Sequence, residues 1–338
     1  MKHDSSNEVQ RRKRTGDPNR LVSVIVTTHN RVPDMVLRAV ASALAQTYHP
    51  VETVVVDDSD ADYPLRDEVE RAVRELSPNI AYVRNERSQG ANAARNAGLR
   101  HAHGRCVAFL DDDDEWFPGK IERQVERLES EDVALVYCGC VVVDEPMGVE
   151  YVRRTKSLRG DVFCELLKGN FIGGTSGPLM RTQCVIDAGS FDELMESSQD
   201  YDLWLRIARR YPVAFVDEPL YVYHAHEGSH ISKNVDAKIA GAERINEKYR
   251  AWVQRDKDVR YMRLRRLTPY YLQAYGRRRA LWTWLSCARL RPARVLRNAK
   301  DLAMIVVGYD RYASAAARAR KVLLGRDAVI LRRRDAQG

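Results

Sequence analysis

The run RCVAFLDDDDEW, residues 105–116, joins a short apolar stretch to four consecutive aspartates. Cys106 to Leu110 has the length and bulk of a buried strand, so Asp111, Asp112, Asp113 and Asp114 mark its carboxyl end. Four adjacent carboxylates repel one another, and a cluster of this kind is tolerable where a divalent cation or helix N-termini neutralise it. Two of the four can hold Mn²⁺ or Mg²⁺ while diphosphate oxygens fill the ion's other positions, which stabilises negative charge on a leaving group. The alternative is a solvated acidic turn that caps the helix beginning near Pro118.

Outward from that run, short apolar stretches alternate with helical ones. LVSVIVTT (21–28) is rich in β-branched residues and runs into His29 and Asn30. Val36, Leu37, Val40, Ala41 and Leu44 then recur at helical spacing. VETVVVDD (51–58) is a second strand, residues 64–76 a second helix, IAYVR (80–84) a third strand, and residues 91–101 an Ala-rich helix. VALVYCGCVVV (133–143) is a fifth strand, on which Cys138 and Cys140 share a face as buried thiols. This alternation predicts an α/β fold, a doubly wound sheet with parallel strands and helices on both faces. Ligands of such sheets sit beyond the carboxyl ends of the strands. Three strands here end in acid or amide: Asn30, Asp57 with Asp58, and Asp111 to Asp114.

Each further motif admits two readings. Asp57 and Asp58 can accept hydrogen bonds from a base or ribose, or cap a turn. SQGANAARNAG (88–98) lets backbone approach phosphate at a helix N-terminus, with Arg95 adding a guanidinium, or is an ordinary packed helix. SSQDYDLWLR (197–206) places Asp200 at the start of an amphipathic helix, as a proton acceptor or as an N-cap, and assigns Asp202 to cap or surface duty. His224 and His226 follow the strand-like VAFVDEPLYVY and point the same way on an extended segment, towards a metal or diphosphate or into solvent.

Charge divides the chain. Residues 231–338 carry 27 Lys/Arg against 9 Asp/Glu, so the net +8 of the 338 residues hides an acidic remainder. The predicted organisation is a basic N-terminus (1–20), a chemistry-bearing domain (21–232) and a basic helical region (233–338). Hydrophobic residues at 44% and charged residues at 30% fit a globular protein. No apolar run approaches the roughly 20 residues of a membrane-spanning helix, residues 1–20 have no signal-peptide core, and six scattered cysteines suit a reducing cytoplasm. Arg-rich helices with Tyr and Trp between 267 and 300 suit an anionic membrane surface on its inner, cytoplasmic side. They equally suit packing onto the core or a homodimer interface. A nucleic-acid-binding adaptor leaves the strand-end acids unexplained, and an acidic core repels a polynucleotide, so no nucleic-acid partner is expected. A nucleotidyltransferase calls for a Gly-rich basic loop after the first strand, where this chain has THNRVPD (28–34).

Taken in order, VSVIVTTHNR, VVVDDSD, GANAARNAG, FLDDDDEW and QDYDLWLR resemble the family-2 glycosyltransferases of the GT-A fold over residues 20–232. The resemblance implies a GT-A mixed sheet and an inverting, metal-dependent transfer from a nucleotide-diphosphate sugar, usually a UDP-sugar. The acceptor would be a hydroxyl of a glycan or lipid-linked acceptor in cell-surface polysaccharide biosynthesis. Carried over by position, Thr28, Asn30 and Arg31 line the nucleotide pocket, Asp58 or Asp57 reads the base, and Arg95 lies near the nucleotide. Asp111 and Asp113 are the DxD pair, with Asp112 and Asp114 able to exchange roles with them; Asp112 is assigned to the nucleotide. Asp200 is the catalytic base, and His226 lies by the metal and diphosphate. Gln199 stands where the family commonly has Glu, and His224 where many relatives have Arg. The Gln-x-x-Arg-Trp signature of processive synthases is absent, which implies single additions.

Overall fold

The computed structural model describes residues 20–225 and 234–319. Its strands are β1 (Val22–Thr28), β2 (Val51–Asp57), β3 (Ala81–Arg84), β4 (Cys106–Asp111), β5 (Glu115–Trp116), β6 (Leu135–Asp144), β7 (Val149–Arg153), β8 (Leu179–Arg181) and β9 (Val213–Ala225). The helices are α1 (Pro33–Leu44), α2 (Arg66–Leu76), α3 (Ala91–His101), α4 (Lys120–Ser130), α5 (Phe163–Lys168), α6 (Thr182–Asp187), α7 (Gln199–Ala208), α8 (Val235–Lys248), α9 (Arg250–Arg255), α10 (Lys257–Leu290) and α11 (Val295–Val307).

The strands form one sheet in the order β3-β2-β1-β4-β8-β6-β9-β5, with β7 on β6. The first four are mutually parallel. β8 runs antiparallel to β4 and β6, and β5 antiparallel to β9, which makes the sheet mixed. Side chains alternate across it with the strand period of two. Val24, Val26, Ala108 and Leu110 meet α1, α2 and α4 on one face. Ile25, Val107 and Phe109 meet α3 and α7 on the other. Each such aliphatic side chain contributes about 1.5–3 kcal/mol on burial, which explains why the parallel strands read as unbroken apolar runs. The α3 helix lies so close to β1 that a Cβ on Gly98 would stand 2.3 Å from Ile25.

The basic C-terminal helices are packed against this core. The backbone of α8 approaches that of Ser197 just before α7, where a Cβ on Gly241 would lie 2.5 Å from the Ser197 carbonyl oxygen. Asp202 on α7 is fully buried and accepts from Arg206 (2.9 Å) and from Lys248 of α8 (2.8 Å). The expectation that Asp202 serves a helix cap or the surface is therefore corrected: it lies on the inner side of α7 as the anchor of the C-terminal helices. The α10 helix changes direction at Gly276, which takes a left-handed φ of 76°. No helix among the described residues is long and apolar enough to cross a membrane.

Candidate active site

Parallel β1, β2 and β4 carry Thr28, Asp57 and Asp111 to the same edge of the sheet. Beyond β4 the chain turns at once, with the Asp114 N–H donating to the Asp111 carbonyl (3.1 Å), and Glu115–Trp116 then pairs with β9. Burial alternates around this turn: Asp112 and Asp114 are buried, whereas Asp111 and Asp113 keep part of their surface open. Repulsion within the cluster is relieved in two ways. Arginines meet three of the four carboxylates: Arg95 Nη2 donates to Asp111 (2.9 Å), Arg31 Nε to Asp112 (3.2 Å) and Arg31 Nη2 to Asp113 (3.4 Å). The buried pair also holds protons more tightly than ordinary carboxyls do. Burial pushes Asp112 up to about 6 against the pull of Arg31 and of a hydrogen bond from Thr28. Asp114 is held well above the usual range by burial and by the charges of Asp111 and Asp113.

The loop after β2 is organised by its acids. Asp57 accepts from the Ser59 N–H (2.9 Å), Arg66 Nε (2.9 Å) and the Tyr82 hydroxyl (3.2 Å). Burial works to raise its pKa, but the bonds from Ser59 and Arg66 keep it below the ordinary value. Asp58 accepts from Asn85 Nδ2 (2.7 Å), the Ser88 hydroxyl (3.2 Å) and the N–H groups of Gln89 (2.9 Å) and Gly90 (2.8 Å). Four donors fill the usual acceptor capacity of a carboxylate. Asp58 thus holds the loop that delivers α3, and with it Arg95. A base or ribose would have to displace Asn85 or Ser88 to reach it. Asn30, left-handed at φ 51°, exchanges hydrogen bonds with Asp60 (2.6 and 3.0 Å) and ties the β1 loop to the β2 loop.

Asp200 stands in the first turn of α7, half-buried, and accepts from the N–H of Tyr201 (2.7 Å). Burial raises its pKa to about 6; the Tyr201 N–H, Arg95 and Arg266 pull it down, and Asp111 pushes it up. Asp200, Arg95 and Asp111 therefore share one electrostatic neighbourhood, although they lie on α7, α3 and β4. His224 accompanies the acidic turn: its N–H donates to Asp114 (3.3 Å) and its Nε2 lies 2.9 Å from Glu115. His226 lies outside the described residues.

Three contributors were not singled out from the sequence. Ser176, in the IGGTSG turn, accepts from the Asp111 N–H (3.1 Å) and hydrogen-bonds Asp114. Trp116 donates to the Ser176 carbonyl (2.9 Å) and holds that turn in place. Arg266, on α10, adds its positive charge to the surroundings of Asp200. The small residues of IGGTSG were the available signal for Ser176, since they announce a tight turn; nothing in the sequence ties Arg266 to Asp200.

The set suits a hard divalent cation in one respect. Asp111 and Asp113 present partly open carboxylates from one tight turn, which is the oxygen chemistry that Mg²⁺ or Mn²⁺ takes. Among the described residues no three His, Cys, Asp or Glu side chains converge on one point. The remaining positions of such an ion would fall to substrate oxygens and water, as Mg²⁺ sites with one or two carboxylates commonly arrange.

The model of glycosyl transferase family 2 matches residues 23–193, half of the chain. The chain belongs to glycosyl transferase family 2. The chain is 33% identical over 220 residues to an uncharacterised glycosyltransferase of Rickettsia conorii, a match that covers 62% of this chain and 35% of the relative. Its match to another, from Rickettsia prowazekii, covers 64% of that relative at 31% identity. The chain thus spans between about a third and two thirds of these relatives' lengths. Over 117 residues, 35% of this chain and 45% of the relative, it is 38% identical to WfaP of Escherichia coli, a UDP-Glc:α-D-GlcNAc-diphosphoundecaprenol β-1,3-glucosyltransferase. In structure it is similar to residues 1–349 of S. aureus TarS, solved in complex with UDP-GlcNAc. The TM-score is 0.56 at 16% identity, over 86% of this chain and 91% of that one. That likeness concerns the fold, a GT-A α/β sheet followed by helices.

Proposed function

We propose that this glycosyltransferase moves a sugar from a UDP-sugar to a hydroxyl of a glycan or lipid-linked acceptor, inverting the anomeric centre, in cell-surface polysaccharide biosynthesis. The observation that carries the reading is the meeting of Asp200, Arg95 and Asp111 at the carboxyl edge of the sheet. A carboxyl tuned to about 6 is ionised at neutral pH and still basic enough to accept a proton from an attacking hydroxyl. Arg95 and Arg31, freed from Asp111 and Asp113, would bind the diphosphate. Thr28, Asn30 and the loop held by Asp57 and Asp58 would form the wall of the nucleotide pocket. Asp111 and Asp113 would hold Mn²⁺ or Mg²⁺, which supplies Lewis-acid stabilisation of the departing diphosphate. Asp112 and Asp114, buried beneath them, fix the turn. WfaP, which is named for UDP-Glc and a diphosphoundecaprenol-linked acceptor, supports the choice of donor and acceptor class.

The second half of α10 supports a peripheral seat on an anionic membrane. Trp282 is 59% exposed and Leu285 36%, and exposed Arg278 and Arg289 flank them at helical spacing. The same face suits a homodimer contact.

A thermal-shift screen of UDP-, GDP- and TDP-sugars with Mn²⁺ tests the reading. UDP-sugars should stabilise the protein, and Asp113→Ala should abolish the metal-dependent part of the shift. Equal shifts in wild type and Asp113→Ala would remove the acidic turn from the donor site.

A further inference from the structure

The C-terminal helices bring Arg263 and Arg266 to the ring of Tyr201, the residue after Asp200, and Lys238 into the charge field of Arg266, and no carboxylate among the described residues pairs with any of the three. Arg263 is 1% exposed, and its partners are neutral: Asn246 Oδ1 (2.6 Å), the Ala242 carbonyl (2.9 Å) and the Tyr201 hydroxyl (3.3 Å). Arg266 lies over the same tyrosine, its Cζ 5.8 Å from the ring centroid, with Arg263 at 5.6 Å. Lys238 of α8 stands 5.7 Å from the ring of Tyr270, one turn beyond Arg266 on α10. Burial, and then the charge of Arg266, hold the Lys238 ammonium below its ordinary value.

This is not the habit of these helices. Arg265 pairs with Asp301, Lys248 with Asp192 and Asp202, and Arg291 and Arg294 with Asp258. Those cations are compensated by carboxylates; Lys238, Arg263 and Arg266 are not. Crowded like charges in a partly desolvated place raise the free energy of the ligand-free protein, and an anion lowers it. The close approach of α8 to Ser197, which a glycine at position 241 permits, lies one helical turn from Lys238.

We propose that Lys238 and Arg266, with Arg263 behind them, form a phosphate-binding subsite next to Asp200 that takes an acceptor bearing a phosphate or diphosphate group. The inference rests on the reading of Asp200 as the base. Arg31 and Arg95 reach the acidic turn from β1 and α3 and suffice for the donor. The unpaired cations come from α10, where Arg263 and Arg266 lie over Tyr201 beside Asp200, and from α8, where Lys238 acts on Arg266; an attacking hydroxyl bound for Asp200 would pass them. A phosphate a short distance along the acceptor would be clamped there, and the hydroxyl presented to Asp200.

Titrating inorganic pyrophosphate into the full chain saturated with UDP tests the subsite without turnover. Binding to wild type is expected, weakened about 10- to 100-fold in Lys238→Gln/Arg266→Gln, with UDP affinity unchanged and the ligand-free Tm not lowered. Lys238→Arg/Arg266→Lys should recover most of it. If the double Gln variant does not fold, half-buried Lys238→Gln alone decides in the same way. Acceptors in which a sugar is joined to a short alkyl chain through a diphosphate, a single phosphodiester or no phosphate then distinguish the source. The KM advantage of whichever phosphorylated probe is used should vanish in the double variant. No pyrophosphate binding to the UDP-saturated wild type, equal binding in the variant, or a parallel loss of UDP affinity would overturn the proposal. Loss of turnover in Asp200→Asn with pyrophosphate binding intact bears on the base alone, so the two readings fail separately.

Discussion

Replacing Asp200 by Asn should abolish transfer and stabilise the protein at once. A carboxyl held near 6 rather than 3.8 has its charged form disfavoured by about 3 kcal/mol; the partial exposure of the group reduces what reaches stability to about 1–2 kcal/mol. The sign follows from linkage. Between pH 3.8 and 6 the folded state binds the proton that the unfolded state has released, so stability falls as pH rises through that window. The penalty is complete above 6 and absent below 3.8. Asn keeps an oxygen for the Tyr201 N–H but carries no charge. At pH 7.5 the variant should therefore unfold several degrees above wild type, and the gain should vanish by pH 4. Activity runs the other way. Wild-type kcat/KM should fall about tenfold per pH unit below 6, and the Asn variant should lose about 10²–10⁴ in kcat with donor affinity retained. Differential scanning fluorimetry at the two pH values and a nucleotide-release assay from pH 5 to 8 supply the measurements. Near wild-type turnover in the variant would refute Asp200 as base. A Tm difference that does not change with pH would refute its desolvation.

Asp58→Ala leaves four donors, two of them backbone N–H groups at the start of α3, without their acceptor. A loss of about 2–4 kcal/mol is expected in chemical denaturation even without donor, and a change under 0.5 kcal/mol would remove Asp58 as organiser of the loop. Lys120, fully buried over Trp116 with its Nζ 4.0 Å from the ring centroid, is pushed down to about 8 by burial. The unfolded state binds the extra proton between 8 and 10.5, so stability attributable to this group rises with pH. The stability of wild type relative to Lys120→Met should improve by about 3 kcal/mol from pH 7 to 10.5. Trp282→Ser should weaken co-sedimentation with phosphatidylglycerol-rich vesicles several-fold and leave phosphatidylcholine unaffected; an unchanged sediment with dimerisation lost would assign that face to a second copy.

The parallel half of the sheet is legible because β1, β2 and β4 are buried on both faces and so write nearly unbroken apolar runs, closed by polar residues at one edge of the sheet. β5 and β8, two and three residues long, are too short for any periodicity, and their antiparallel pairing depends on what β4, β6 and β9 offer them. Asp111 to Asp114 announce themselves as a cluster, but the split into two buried and two open carboxylates is set by Thr28 and Arg31, by Ser176 and by His224, from three separate segments. Asp202 defeats a local reading for the same reason. A charged residue in the first turn of a helix looks like a cap or a surface group until Lys248, 46 positions away, arrives to pair with it. Arg266 beside Asp200 is likewise a product of packing.

The seat of α8 against α7 bears on how this protein can be re-engineered. Ending the chain after the last strand, or grafting another enzyme's tail there, would strip Asp202 of Lys248 and open the face of α7 that carries Asp200. A buried carboxylate that loses a charged partner costs several kcal/mol, more than a marginally stable domain tolerates. Chimeras should therefore keep 197–208 and 235–272 together as one cassette, so that the C-terminal helices are exchanged along with the helix that carries Asp200.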